Sequence, residues 1–273
     1  MNLRCRPAAV AGRFYPDSPE RLRREIAALL ADAGEVAEEC PKALVVPHAG
    51  YVYSGPIAAS GFATLAGRGD AIRRVALLGP AHRVAVRGLA LPDCDAFATP
   101  LGRVPVDTAA VAALRGLPQV VVSADAHRQE HSLEVEIPFL QAVLGEFSLL
   151  PLAVGEASPK AVAEAIGRLW GGDETLIVVS SDLSHYLPYA DAVRTDAETA
   201  RRIVALDPAI DHRQACGATP VNGLLLAARE RGLRVRRLDL RNSGDTAGDR
   251  RQVVGYGAFA FFETQREERR HVH

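Results

Sequence analysis

The run Ala43-Leu44-Val45-Val46 is apolar throughout, and Pro47 stops it at once and hands the chain to His48. Consecutive apolar residues at strand length, without polar alternation, describe a strand buried on both faces, as happens where helices cover a sheet from either side. In such sheets a side chain reaches a ligand at the strand's end, and binding crevices form beyond the carboxyl ends. The design recurs. Residues 75–78 lead into Gly79-Pro80-Ala81-His82, and residues 175–180 into Ser181-Asp182-Leu183-Ser184-His185. A lone histidine at such a place reads as a loop residue bonded to backbone; the repetition points to a shared site.

The rest of the chain fits an alternation of strands and helices. Ser18 followed by Pro19 gives an N-cap and first helical residue, with Leu22, Ile26, Leu29 and Leu30 as one apolar stripe. Gly50 to Pro56 reads as a turn-rich loop before a helix over 57–65, and 86–91 as a strand. A hairpin or loop over 97–104 and a short helix capped by Asp107 follow, then a third core strand over 119–123. Val135, Phe139, Leu140 and Val143 predict a helix that Pro138 kinks or restarts. Strand 147–154, a helix opened by Ser158-Pro159, a polar helix over 190–206 and a helix capped by Thr219 with Pro220 first complete the alternation. The closing strands, 233–240 and 253–262, lie close enough in sequence to pair antiparallel. The predicted fold is α/β, a single domain over 1–273 with a mainly parallel sheet flanked by helices and added antiparallel strands. Residues 1–17 form an irregular opening segment, and 263–273, with His271 and His273, a frayed tail given no role.

With 32 basic and 33 acidic residues the formal charge is -1, which offers no long-range attraction for nucleic acid or an anionic membrane. The N-terminus lacks the apolar core of a signal peptide and no window reaches membrane-helix length, so the expected location is the cytoplasm. The four cysteines, at 5, 40, 94 and 216, show no paired spacing, so neither a disulfide framework nor a zinc ribbon is indicated. There is no Gly-x-Gly-x-x-Gly, no phosphate loop and no Gly-x-Ser-x-Gly elbow.

Collected together, the polar residues near strand ends are His48, His82, His131, Asp182 and His185, with Cys216 beside a helix start whose macrodipole favours a thiolate. Imidazole, thiolate and carboxylate are the usual ligands of zinc, copper or non-haem iron, and a reactive ion keeps open positions. Two other arrangements compete. A thiolate beside His131 or His185 would suit a cysteine hydrolase or transferase. His127-Arg128-Gln129-Glu130-His131 matches His-x-x-Glu-His, in which two histidines one helical turn apart hold zinc and the glutamate acts as base.

Six blocks, in order across almost the whole chain, carry a family resemblance. They are Ala11-Gly12-Arg13-Phe14-Tyr15-Pro16, Pro47-His48-Ala49-Gly50-Tyr51, Gly79-Pro80-Ala81-His82, Glu130-His131-Ser132-Leu133-Glu134, Ser180-Ser181-Asp182-Leu183-Ser184-His185 and Cys216-Gly217. Together they resemble the Memo-like family, also called system protein B of the AmmeMemoRadiSam group. The resemblance implies a domain similar to the class III extradiol dioxygenases, whose non-haem iron(II) cleaves catechol rings. It makes His48, His82 and Cys216 metal ligands, with His131, Asp182 and His185 lining the cleft as catalytic residues. A sulfur in place of the dioxygenases' third, carboxylate ligand argues against ring cleavage and toward other iron chemistry, copper or zinc. The family implies iron or copper and redox activity, and radical SAM and AMMECR-type partners. The expected function is therefore metal-dependent oxidoreductase-type chemistry on an unknown small molecule or peptide. The alternative is a non-catalytic scaffold holding a peptide or protein in the same cleft, anchored by Tyr15, Tyr51, Tyr53 and Tyr186.

Overall fold

The computed structural model describes residues 4–34 and 39–264. In chain order its elements are β1 (Cys5–Arg6), α1 (Pro19–Asp32), β2 (Ala43–Val46), α2 (Tyr51–Phe62), β3 (Arg74–Pro80), β4 (Leu89–Leu91), β5 (Ala96–Thr99), β6 (Gly102–Pro105), α3 (Thr108–Leu114) and β7 (Val120–Val122). There follow α4 (Ala124–Arg128), α5 (Ile137–Val143), β8 (Ser148–Val154), α6 (Pro159–Leu169), β9 (Thr175–Ser180), β10 (His185–Leu187), α7 (Tyr189–Val204), α8 (Ala218–Glu230), β11 (Arg234–Asn242) and β12 (Val253–Phe262).

Four strands, in the order β2, β9, β3 and β8, run parallel at the centre of a mixed nine-stranded sheet. On one side β12 joins β2 antiparallel and carries β10 and β11; on the other β4 joins β8 antiparallel and pairs with β7. The predicted α/β architecture with added antiparallel strands is the one observed, the antiparallel share being larger than a mainly parallel sheet implies. A small sheet of β1, β5 and β6 stands beside it, formed in part by the predicted hairpin.

Alternate residues of the central strands feed opposite layers of core. Leu44, Val46, Leu77 and Val178 pack with Leu22, Ile26, Phe62 and Phe139 on the side of α1, α2 and α5. Val45, Leu78, Ile177 and Val179 pack with Ile166, Leu224 and Leu225 on the side of α6 and α8. Both faces being covered, neither set of positions tolerates a polar residue, and this is why the strands read as unbroken apolar runs.

Three local expectations give way. The segment expected as a loop is helical from Tyr51, with Pro56 inside α2. Gly55 lets α1 pack closely, since a Cβ there would sit 3.0 Å from Leu29 Cδ1, and buried Ile57, Ala58, Ala59 and Phe62 hold the helix despite the one backbone bond a proline forgoes. The third core strand is instead the edge strand β7, with Val121 and Val122 exposed, because valines favour extended backbone whether or not they are covered. Helix α8 begins at Ala218 with Gly217 as N-cap, so Thr219 lies inside its first turn.

The opening segment is tied down: Cys5 and Arg6 pair with β5, and Arg6 is buried. Most of the tail predicted to fray, including His271 and His273, lies outside the described residues. Among the described residues no helix is long and apolar enough to cross a membrane.

Candidate metal centre

Strands β2 and β3 flank β9, so the three strand exits flagged by the sequence open on one edge of the sheet. The β2 exit delivers His48, the β3 exit His82, and the β9 exit Asp182 and then His185 at the head of β10. Residues 129–136, between α4 and α5, cross this edge and bring in His131.

One nitrogen from each of His48, His82 and His131 lies within 4.8 Å of the other two. Among the described residues this is the group of three histidine, cysteine or carboxylate side chains that could hold a metal ion. The His82 and His131 rings are stacked with centroids 4.8 Å apart, and His48 stands edge-on to both, at 5.3 Å and 5.5 Å. His48 is buried, His131 half-buried and capped by the Phe14 ring at 4.9 Å, and His82 faces solvent.

Each of the two strand-end imidazoles has its Nδ1 occupied. Nδ1 of His48 is 2.7 Å from Ser180 Oγ, and the Ser180 hydroxyl donates to Glu136 Oε1 at 2.8 Å. Nδ1 of His82 is 2.9 Å from Glu130 Oε1. Glu130, fully buried, also accepts the backbone N–H groups of His82, His131 and Ser132, at 2.5 Å, 2.9 Å and 2.9 Å. Burial alone would raise its pKa; the bonds and charge of His82 and the backbone donors outweigh burial and bring it down to about 2. A carboxylate behind one nitrogen of an imidazole orients the ring and leaves the other nitrogen as the metal-facing atom.

Desolvation, reinforced by the neighbouring imidazoles, disfavours the charged form of His48 and His131. It lowers His48 well below the usual imidazole range, with His82 and His131 adding to the effect. It lowers His131 to about 4, against the opposing pull of Glu130. Neutral imidazole is the form that ligates a cation.

The remaining candidates lie around this group. Cys216 Sγ is 3.4 Å from His48 Nε2 and 3.7 Å from the Asp182 carbonyl, but it falls outside the three-imidazole group. Burial and the nearby Asp182 push the Cys216 thiol up to about 12, opposite to the lowering expected at a helix start. Gly217 is what lets the sulfur in: a Cβ there would meet Ser181 Oγ at 2.7 Å and the Ser180 carbonyl at 3.0 Å. Asp182 Oδ1 accepts the His48 backbone N–H at 2.8 Å, and burial raises this carboxyl to about 6 against the opposing charge of His185. His185 gives its Nδ1–H to the Leu183 carbonyl at 2.8 Å, leaving Nε2 free. Asp182, His131 and His185 line a cavity of about 850 Å³ whose wall includes Tyr53, Tyr186 and Arg251. Tyr186 is 69% exposed with φ 57°, in a register shift of the β10–β12 pairing.

Two sequence patterns come apart. Helix α4 stops at Arg128, and His127 turns away to put Nε2 2.9 Å from the Ala90 carbonyl, so the His-x-x-Glu-His pair never faces a common point. Tyr15 and Tyr51 are buried struts rather than cleft anchors, donating their hydroxyls to Glu134 Oε1 at 2.6 Å and to the Val135 carbonyl at 2.8 Å. Glu136, Ser180 and the Arg6–Glu134 pair were not singled out from the sequence. The signal was present in the tight run of Glu130, Glu134 and Glu136 within an otherwise buried segment, where each acid needs a partner.

The chain is similar to known proteins over most of its length. Residues 6–260 match the family model described as Memo-like protein. MEMO1 family proteins of Ignicoccus hospitalis and Methanococcoides burtonii are each 37% identical, over 94% and 93% of this chain and 98% of each relative. One from Pyrobaculum arsenaticum is 36% identical over 95% of this chain and 99% of its own length. The crystal structure of an uncharacterized protein from Escherichia coli K12 superposes with TM-score 0.52 at 13% identity, covering 80% of this chain and 99% of that one, a likeness of fold alone. Near-full-length identity at this level, on a chain whose strand ends converge as described, shows that this protein belongs to the Memo-like family.

Proposed function

We propose that His48, His82 and His131 hold one redox-active metal ion, iron or copper, with the Cys216 sulfur as a further donor, and that the adjoining cavity receives the substrate. The observation that carries this reading is the convergence of one nitrogen from each of three imidazoles within 4.8 Å of one another, from segments far apart in sequence. The donor set fits such an ion. His48 and His82 have Nδ1 engaged by protein groups, and Nδ1 of His131 is buried without a hydrogen-bond partner among the described residues. Imidazole with a soft sulfur nearby suits iron, copper or zinc, whereas calcium and magnesium prefer oxygen.

When bound, the ion would supply one-electron chemistry and Lewis acidity. The chain's own groups do the rest. Glu130 and Ser180 orient two imidazoles, and Phe14 shields one face of the third. His185, with Nε2 free at the cavity wall, is placed to move a proton to or from a ligand there. Asp182 anchors the β2 exit through the His48 backbone and holds a carboxyl close to neutrality at the same wall.

Metal analysis of purified protein, with His48→Ala, His82→Ala, His131→Ala and Cys216→Ala variants, tests the assignment. Stoichiometric iron or copper in the parent and its loss in each histidine variant is the expected result. Undiminished metal in His48→Ala and His82→Ala would overturn it, and zinc alone, inert to ascorbate and to oxygen, would remove the redox part.

A second reading, a non-catalytic peptide-binding cleft, is favoured by Tyr53 and Tyr186, 40% and 69% exposed at the cavity wall. The two separate on chelation: oxygen uptake by the loaded protein stops when the ion is stripped, whereas a metal-independent cleft shows no uptake and binds its peptide equally well in EDTA.

A further inference from the structure

Glu136 stands behind the metal centre rather than in it. It is fully buried, Oε1 accepts the Ser180 hydroxyl at 2.8 Å, and Oε2 has no hydrogen-bond partner among the described residues. A serine hydroxyl has one proton. Since Ser180 gives its proton to Glu136, its oxygen meets His48 Nδ1 as an acceptor at 2.7 Å, and this contact requires a proton on Nδ1. The opposite edge of the ring agrees, because Nε2 lies 3.4 Å from the Cys216 sulfur, whose thiol can donate to an unprotonated nitrogen.

We infer that Glu136, acting through Ser180, is a positioning residue that locks His48 in its Nδ1–H tautomer and so fixes Nε2 as the ligand atom. The inference rests on the three-imidazole reading above. It also sets the two strand-end imidazoles apart: His82 leans directly on a carboxylate, while His48 leans on a hydroxyl backed by an acid. What position 136 must supply is an acceptor for the Ser180 hydroxyl.

The tautomer is read directly from long-range ¹H–¹⁵N correlation spectra of the metal-free full chain, without any substitution. A protonated Nδ1 and bare Nε2 on His48 are expected; a protonated Nε2 overturns the inference. Titration with Co²⁺ provides the second arm. Ser180→Ala and Glu136→Leu should weaken Co²⁺ binding roughly 10- to 100-fold and alter its visible spectrum, the usual effect of losing an outer partner of a ligating histidine. Glu136→Gln, which keeps an acceptor carbonyl, should restore both. A merely structural role would lower the melting temperature of the metal-free variants and leave cobalt affinity and spectrum unmoved, as would overturn the proposal. His48→Ala separates the two levels. Wild-type cobalt binding in that variant strikes down the three-imidazole centre itself, whereas binding lost in His48→Ala but intact in Ser180→Ala removes only the relay.

Discussion

Glu130 holds His82 at two points, with Oε1 2.9 Å from the ring Nδ1 and Oε2 accepting the backbone N–H at 2.5 Å, across a sequence separation of 48 residues. One carboxylate thus sets both where the β3 exit turns and which face the imidazole shows. It also binds the amides of His131 and Ser132, so two of the three clustered histidines share one support.

Glu130→Ala should consequently act on stability and on metal binding together. It strands three buried or half-buried backbone donors and frees the His82 ring. A loss of about 2–5 kcal/mol in urea unfolding of the metal-free protein is expected, from the cost of leaving these donors unsatisfied. The stabilisation that the carboxylate gives is present above its unfolded pKa and fades as pH falls toward about 2. Wild type and variant should therefore converge in stability in strong acid; a difference that stays constant down to pH 2 would contradict the assignment.

His127 gives an acid sensitivity that has nothing to do with metal. Burial lowers its pKa to about 4, only partly offset by its bond to Ala90. Above pH 6.5 neither folded nor unfolded chain protonates this ring; between 6.5 and 4 the unfolded chain binds the proton and the folded one does not. Stability falls as pH drops through that window, by an amount on the order of 3 kcal/mol at full effect. His127→Gln, which retains a donor for the Ala90 carbonyl, should flatten the pH–stability curve between 6.5 and 4 relative to wild type. Superimposable slopes would show that His127 does not contribute.

Arg6 and Glu134 form a buried ion pair that ties the opening segment to the residues carrying Glu130 and His131. Arg6 further donates Nε to the His127 carbonyl at 2.9 Å and Nη2 to the Glu130 carbonyl at 2.7 Å. Glu134 collects the amides of Ala9 and Val10 and the Tyr15 hydroxyl. Arg6→Ala leaves a buried carboxylate without its cation, and a cost of about 3–5 kcal/mol in chemical denaturation is expected. Arg6→Lys should recover little of it, because a single ammonium cannot serve three acceptors placed for a planar fork.

Gly217→Ala probes the approach of the sulfur. The added methyl meets the Ser180 carbonyl and the Ser181 side chain at contact distances that force a shift, so a destabilisation of about 1–3 kcal/mol is expected. Cys216 moves with it. In the cobalt-loaded protein the sulfur-to-metal charge-transfer band should weaken in Gly217→Ala and vanish in Cys216→Ala; a band of equal strength in all three proteins would show that Cys216 is not a donor.

What the sequence made legible was the part governed by local rules. Buried strands with helices on both faces must be apolar at every position, so the exits at His48, His82 and Asp182 stood out, as did the caps at Ser18, Asp107 and Ser158. Where tertiary packing overrides local preference the reading slipped, as at Pro56 inside α2 and at the valines of β7. The supporting carboxylates escaped for another reason. Nothing in the spacing of Glu130, Glu134 and Glu136 tells which imidazole, guanidinium or hydroxyl each will meet, since the partners come from β1, the segment just after β3, and β9. Cys216 was placed correctly beside a helix start, but desolvation outweighs the dipole there.

Strand β9 is inserted between β2 and β3, although it starts 129 residues after β2 ends and 95 after β3 ends. A nascent polypeptide that has emerged only as far as β8 therefore holds His48, His82 and His131 with no partition to set their separation. On the proposed reading, an ion would find its three ligands spaced as described only once β9 has joined the sheet between β2 and β3, and not in a fragment that ends at β8.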